Sequence, residues 1–255
     1  MATNNDTKLK ILLSLHKPGT PLLASWLEHQ GVSRSLQTHY RRSDWLTSVG
    51  PGAFKRPDDV VSWMGALSAL QRQAGLAIHA GAMTALSLQS YSQYLRLGGQ
   101  RVYLFSQRGV KPPAWFKKHD WGVPVRHIPT SFLPTDLGLL DHKEANFSIR
   151  ISAPERAMLE CLDHAPKEFD LVECFQVMEG LVNLRPDTVT ELLRQCTSIK
   201  AKRLFLYMAE KANHQWLPFI KTTGLDLGSG ERSLSKGGVY VAKYNLVVPR
   251  ELATS

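Results

Sequence analysis

Apolar residues recur every three or four positions through the amino-terminal part of the chain. This period is typical of amphipathic helices and predicts three of them, over residues 8–16, 20–31 and 33–42. Thr20 is placed to cap the second helix and Ser33 the third, since a short hydroxyl side chain accepts a hydrogen bond from the free backbone amides of a first turn. The sequence therefore predicts a helix-turn-helix.

Residues 46–56 follow the third helix and contain a Gly-Pro-Gly turn at positions 50–52. Two short extended segments around such a turn are typical of a β-hairpin. The hairpin would expose Lys55 and Arg56, which suits a wing that touches the sugar-phosphate backbone of DNA. The predicted domain is therefore a winged helix-turn-helix.

The third helix separates its residues by face when 100° is advanced per position. Leu36 and Tyr40 fall on one side, and the opposite side carries long donors within an arc of about 100°. Arginine and glutamine read base edges in the major groove, and further basic and hydroxyl groups hold phosphates. We expect base contacts from Arg34, Gln37, Thr38 and Arg41. The full set of candidate DNA-binding residues is Ser33, Arg34, Ser35, Gln37, Thr38, Arg41, Arg42, Lys55 and Arg56.

The rest of the chain has a mixed pattern. We predict helices over residues 58–75 (with Asp58 as the N-cap) and 77–94, strands over 102–106, 125–128 and 147–151, and a carboxy-terminal hairpin around Gly237-Gly238. Four further helices are predicted from a capping box at 152–155, from Asp170, over 188–196 and over 199–213. The predicted fold class is α+β: a winged helix-turn-helix domain over residues 1–75, followed by a larger mixed α/β domain over residues 76–255.

Composition supports an anionic partner. The formal charge is +9 and the isoelectric point is about 9.5, which favours association with a polyanion. Cys161, Cys174 and Cys196 are scattered and odd in number, as reduced core thiols of a cytoplasmic protein would be. The sequence predicts no membrane span, metal, cofactor or catalytic site, because the histidines and acids show no spacing typical of one.

Two further groups of residues can be interpreted as either structural or functional. Trp115, Phe116 and Trp121 border Lys117 and Lys118, and they would either anchor a loop in the core or stack on unpaired bases. The carboxy-terminal part has an excess of basic residues over acids, which is either a solvated face or a second docking surface for DNA, RNA or an acidic protein. Its members are Lys200, Lys202, Arg203, Lys211, Lys221, Arg232, Lys236 and Lys243.

The chain as a whole resembles the AbiEi antitoxins of type IV toxin–antitoxin, abortive-infection systems. The resemblance lies in a small basic winged head followed in order by DDVVSWMGALSALQ, AIHAGAMTALSLQSYSQYL, YLFSQRGVKPPAWF, ISAPERAMLECLDHAP and LGSGERSLSKGGVYVAKYNLVVP. It implies a winged helix that binds inverted repeats in its own promoter and represses the operon. It also implies a carboxy-terminal domain that counteracts a nucleotidyltransferase toxin without an obligatory tight complex.

Three other functions stay open at this stage. The chain could bind its toxin directly, it could be a nucleic-acid-processing enzyme guided by its helix-turn-helix, or it could be a repressor that responds to a ligand in an apolar pocket. Operator binding by inverted repeats would require two protomers on the DNA, since one head reads one half-site.

Overall fold

The computed structural model describes residues 10, 12–14, 16–91 and 101–254. These fall into two compact units. The first comprises Met1–His79, Ser106–Val125 and Asp141–Arg150, and the second comprises Ala80–Phe105, Arg126–Leu140 and Ile151–Ser255. Helices and sheets occur together, so the predicted α+β class is confirmed. The predicted boundary near Gly75 stays a prediction.

The first unit begins with a small winged helix. Its elements are β1 (Leu22–Leu23), α1 (Ala24–His29), α2 (Arg34–Arg42), β2 (Thr47–Gly50) and β3 (Ala53–Lys55). The three strands form an antiparallel sheet in the order β1-β3-β2, so the predicted hairpin is present. The predicted helix over residues 8–16 lies partly outside the described residues, and residues 10 and 12–14 are helical.

The prediction that Thr20 caps the helix before the turn is wrong. Leu22 and Leu23 pair with Phe54 and Ala53 of β3, so the helix begins only at Ala24. The Thr20 hydroxyl instead donates to the carbonyl of Lys17 at 2.7 Å. A two-residue strand replaces the first helical turn because its backbone forms hydrogen bonds with β3 of the wing.

Apolar side chains from β1, α1, α2 and β3, and from the segments that flank them, meet in one core. The cluster comprises Leu12, Leu22, Leu27, Val32, Leu36, Tyr40, Leu46 and Phe54. Each fully buried leucine contributes about 1.5–3 kcal/mol from the loss of apolar contact with water. This core fixes the orientation of α2, whose Leu36 and Tyr40 point inward as the helical period predicts.

Helix α3 (Trp63–Arg72) starts later than predicted. Its N-cap is Ser62, whose hydroxyl accepts from the Gly65 amide at 3.3 Å, and Asp58 lies outside the helix. The predicted helix over residues 77–94 is also wrong. Residues Ile78–Ala80 form β4 and only Ala82–Leu88 (α4) are helical, while residues 92–100 lie outside the described part. The break occurs because the Ala82 amide donates to the buried carboxylate of Glu160 (2.9 Å).

The large sheet has five strands in the order β6-β5-β4-β8-β7. Its other strands are β5 (Val102–Ser106), β6 (Val125–Pro129), β7 (Leu139–Lys143) and β8 (Ser148–Ser152). The three predicted strands are confirmed, and β7 is an addition whose polar sequence LLDHK gives little signal. Between β5 and β6 lies the short helix α5 (Ala114–Lys118).

Four helices of the second unit match the prediction within a few residues. They are α6 (Pro154–His164), α7 (Leu171–Gly180), α8 (Pro186–Gln195) and α9 (Ile199–Lys211). Asp170 caps α7 as expected, accepting from the amides of Val172 and Glu173 at 2.8 and 3.0 Å. The prediction of a Ser152 cap is wrong: the N-cap of α6 is Ala153, and the Ser152 hydroxyl donates to Glu160 at 2.8 Å.

The carboxy-terminal sheet has the order β10-β11-β9, from β9 (Arg232–Ser233), β10 (Val239–Val241) and β11 (Leu246–Val248), followed by α10 (Arg250–Thr254). The predicted turn at Gly237-Gly238 is wrong. The antiparallel pair β10–β11 turns at residues 242–245, where Asn245 adopts a left-handed conformation (φ 49°), while β9 pairs in parallel with β11. Within the described residues, no helix is long and apolar enough to cross a membrane.

Candidate nucleic-acid interface

Helix α2 presents a polar, basic face. Ser33 begins the helix as predicted, because its hydroxyl accepts from the Leu36 amide at 3.4 Å. The side chains that point away from the core are exposed, namely Arg34, Ser35, Thr38, Arg41 and Arg42. No acidic residue lies in α2, so this face carries net positive charge.

Gln37 is not part of that face, and its expected exposure is wrong. Only 3% of the residue is accessible to solvent. Its amide nitrogen donates to the carbonyls of Ala24 at 3.0 Å and Val32 at 2.9 Å. Gln37 thus ties the start of α1 and the turn to α2. The helical period already places it only about 60° from Tyr40, at the edge of the polar arc.

The two arginines of the exposed face are held differently. The Arg34 Nε donates to Glu28 of α1 at 2.7 Å, although the Arg34 side chain is 83% exposed. An ion pair this exposed adds little to stability, but it keeps the guanidinium above the helix. The Arg41 guanidinium lies over the ring of Phe54 of β3, 5.6 Å from the centroid. Both side chains are exposed, and each guanidinium has further N–H groups to donate.

The hydroxyl of Thr38 donates to the carbonyl of Arg34 one turn earlier, at 3.0 Å. Its oxygen lone pairs stay available as acceptors, since a hydroxyl donates only one hydrogen. Ser35 shares a hydrogen bond of 3.0 Å with Ser33. The hydroxyl groups therefore lie at the amino-terminal half of the face and the arginines at both ends.

The wing offers less free charge than expected. The Lys55 ammonium group is only partly exposed and donates to the carbonyl of Asp59 at 2.7 Å. Arg56 is half-buried as well. The most accessible part of the wing is its tip, Pro51 and Gly52, where Gly52 has φ 78°. Such a conformation favours glycine, which has no Cβ.

A buried polar pair lies behind the wing. The His16 Nε2 is 2.6 Å from Asp59 Oδ2, and the two residues are largely screened from water. Burial lowers the pKa of His16 below 6.5 despite the opposing attraction of the Asp59 carboxylate, and the charge of Arg56 lowers it further.

The predicted second basic surface does not form from the residues expected. Lys202 and Arg203 are buried, with 3% and 2% exposure, so their assignment to a docking face is wrong. The Arg203 guanidinium donates to the carbonyls of Leu227 and Gly230 at 2.6 Å and of Asn245 at 3.1 Å. This cation therefore holds the glycine-containing segment 227–230 in place.

The other members of that set are dispersed. The Lys200 Nζ donates to the Asp163 and Ala165 carbonyls, and burial lowers its pKa. Lys243 pairs with Glu210, and the Lys211 ammonium group lies 5.5 Å from the centre of the Phe175 ring. Lys243 and three further members, Lys221, Arg232 and Lys236, are exposed.

Sequence reasoning missed a buried polar network in the second unit. Glu160 and Arg156 are both buried and pair at 2.8 Å, and the Arg156 guanidinium also donates to the carbonyls of Pro134 and Leu137 at 2.6 Å. Ser152 and the Ala82 amide complete the shell of the Glu160 carboxylate. The spacing of Arg156 and Glu160, four residues apart in an apolar helix, was the available signal. Its donors and acceptors are mutually satisfied, as a structural network requires.

The described residues also bear on two other types of site, a metal centre and a ligand pocket. No group of three or more His, Cys, Asp and Glu side chains there could hold a metal ion. A cavity of about 410 Å³ lies beside Lys200, and its lining includes Arg126, His127, Lys167 and Glu168. Charged walls distinguish it from the apolar pocket expected of a ligand-responsive repressor.

The comparisons with known proteins agree with this architecture. No curated protein matches the chain. The crystal structure of the RV2827C protein from Mycobacterium tuberculosis is similar in fold, with a TM-score of 0.59 and 14% identity over 97% of this chain and 92% of that one. Residues 5–97 match the model of the AbiEi antitoxin N-terminal domain, and residues 99–249 match that of the AbiEi antitoxin transcriptional regulators of type IV toxin–antitoxin systems. The chain therefore belongs to the AbiEi family of antitoxin transcriptional regulators of type IV toxin–antitoxin systems.

Proposed function

We propose that the chain binds duplex DNA through α2 and the wing and represses its own toxin–antitoxin operon. The observation that carries the proposal is the exposed basic face of α2, braced from behind by Leu36, Gln37 and Tyr40. A helix fixed in this way meets a major groove without rearrangement of the domain. Family membership supports a role in transcriptional regulation.

Within this interface the side chains divide by chemistry. Arg34, Thr38 and Arg41 contact base edges, since an arginine fork fits the O6 and N7 acceptors of guanine. Ser35 and Arg42 contact phosphates at the flanks, together with Arg56 and the wing tip. Gln37 and Lys55 are left out, because their polar groups are already bonded within the chain.

The operator consists of inverted repeats bound by two protomers, because a single head covers one half-site. The protein performs no chemistry in this role, and repression follows from occupation of the promoter. The same protein counteracts a nucleotidyltransferase toxin encoded with it, without a tight complex between the two.

The test is fluorescence anisotropy with a labelled duplex from upstream of the protein's own gene. The double variant Arg34→Gln/Arg41→Gln should bind at least about 30-fold more weakly than wild type, since each base contact is worth about 1–3 kcal/mol. Lys167→Gln/Arg194→Gln removes two exposed charges elsewhere and is the matched control. Equal binding by the Arg34/Arg41 variant and wild type would contradict the proposed recognition helix.

A further inference from the structure

The winged helix is joined by a segment far along the chain. Residues Ser106–Val125 group with the first unit and carry α5. Trp115 of α5 packs on Gly50 at the end of β2, so closely that a Cβ added at Gly50 would lie 2.8 Å from the Trp115 Cβ. His119, just after α5, donates through Nδ1 to the carbonyl of Val49 at 3.2 Å. Helix α5 is thus attached to the wing at two points.

Aromatic residues fix which side of α5 faces solvent. Trp115 and Phe116 are buried, with 4% and 3% exposure, and they pack with Trp121, whose indole N–H donates to the Phe116 carbonyl at 2.9 Å. The Trp115 and Phe116 rings could therefore stack on unpaired bases only if this segment left its packed position. Lys117 and Lys118 are exposed on the same helix, between the two points of attachment.

The charge of this segment matches an anionic partner. Residues 106–125 carry four basic side chains, Arg108, Lys111, Lys117 and Lys118, against one acidic side chain, Asp120. None of these four basic side chains is buried. In the described part of the chain no carboxylate lies within ion-pairing distance of Lys117 or Lys118. Because α5 is already anchored to the wing, contact of these two ammonium groups with a phosphate does not have to order the helix that carries them.

Resting on the proposed function, we propose that Lys117 and Lys118 contact the sugar-phosphate backbone of the operator beside the wing. The partner is duplex DNA, because the helix that carries the lysines packs against β2 of the wing, which would follow the backbone next to the groove entered by α2. Lysine binds phosphate as a point charge, so these contacts add affinity without selecting a sequence. The DNA interface is therefore assembled from two separate parts of the chain.

The experiment measures the salt dependence of operator binding for the full-length protein. Lys117→Gln/Lys118→Gln is compared with wild type, with Lys117→Arg/Lys118→Arg, which keeps the charge, and with the control Lys167→Gln/Arg194→Gln. Each lost phosphate contact lowers the slope of log K against log salt by about 0.9. The slope of the glutamine variant should therefore be smaller by about 1.8. As a result, the ratio of wild-type to variant affinity should shrink about twelve-fold between about 50 and 200 mM salt.

The outcomes separate this inference from the proposed function. The inference is supported if wild type binds the operator, the arginine variant keeps the slope, and the slope of the glutamine variant is smaller by about 1.8 on operator and scrambled duplex alike. An unchanged slope in a folded glutamine variant overturns the α5 contact and leaves the α2 interface standing. Failure of wild type to bind the operator at all overturns both.

Discussion

Replacement of Gln37 by leucine distinguishes a supporting role from base reading. Leucine has a similar size but no donor, so the carbonyls of Ala24 and Val32 each lose a hydrogen bond. A buried acceptor left without a donor costs about 1–3 kcal/mol, and the partly exposed one costs about 0.5–1.5 kcal/mol. We expect the free energy of unfolding to fall by roughly 1.5–4.5 kcal/mol, a large share of the 5–15 kcal/mol typical of a native protein.

Urea denaturation followed by tryptophan fluorescence measures this loss, and anisotropy measures DNA binding in the same buffer. Where the variant is folded, its affinity for the operator should stay within about threefold of wild type, because Gln37 is not expected to contact DNA. Its preference for the operator over scrambled duplex should stay within the same limit, which corresponds to about 0.7 kcal/mol in binding free energy. Arg41→Gln is the matched comparison and should show the reverse, with normal stability and weak binding. A Gln37→Leu protein of normal stability that no longer prefers the operator would refute the assignment.

Two further predictions concern buried charge. Glu160→Gln should lower the free energy of unfolding by about 3–5 kcal/mol in urea, because the buried Arg156 guanidinium loses its counter-charge; an unchanged midpoint would contradict the importance of this pair. Stability should also fall as the pH drops below 6.5, because burial lowers the pKa of His16 and the unfolded chain takes up the proton first. His16→Gln should flatten that pH dependence, and an equal dependence in both proteins would exclude His16 as its source.

Local pattern was sufficient for the elements with a strong period or a clear cap. The outward face of α2, the Ser33 and Asp170 caps and strands such as β5 follow from side-chain spacing and hydrogen-bonding capacity within a few residues. The winged helix-turn-helix was predictable for the same reason, since its helices, turn and hairpin are consecutive in sequence.

Partners distant in sequence decided the rest. Leu22 and Leu23 have a helical pattern but form a strand, because β3 offers them backbone partners. Arg203 looks like a surface cation but is buried, because three carbonyls from residues 227–245 surround its guanidinium. Hydrogen-bond partners more than twenty residues away leave no periodic trace in the sequence.

The amino-acid sequence by itself determined the family, the winged-helix class and the basic side of α2, since each is encoded in contiguous residues. Only the tertiary structure decided which polar side chains of α2 and the wing are left exposed. In the tertiary structure the polar groups of Gln37 and Lys55 donate to nearby backbone carbonyls, so they are not available to a ligand. It also brought Lys117 and Lys118 beside the wing by packing Trp115 against Gly50. The physical reason is that exposure depends on what covers a side chain, and the covering residues come from elsewhere along the chain.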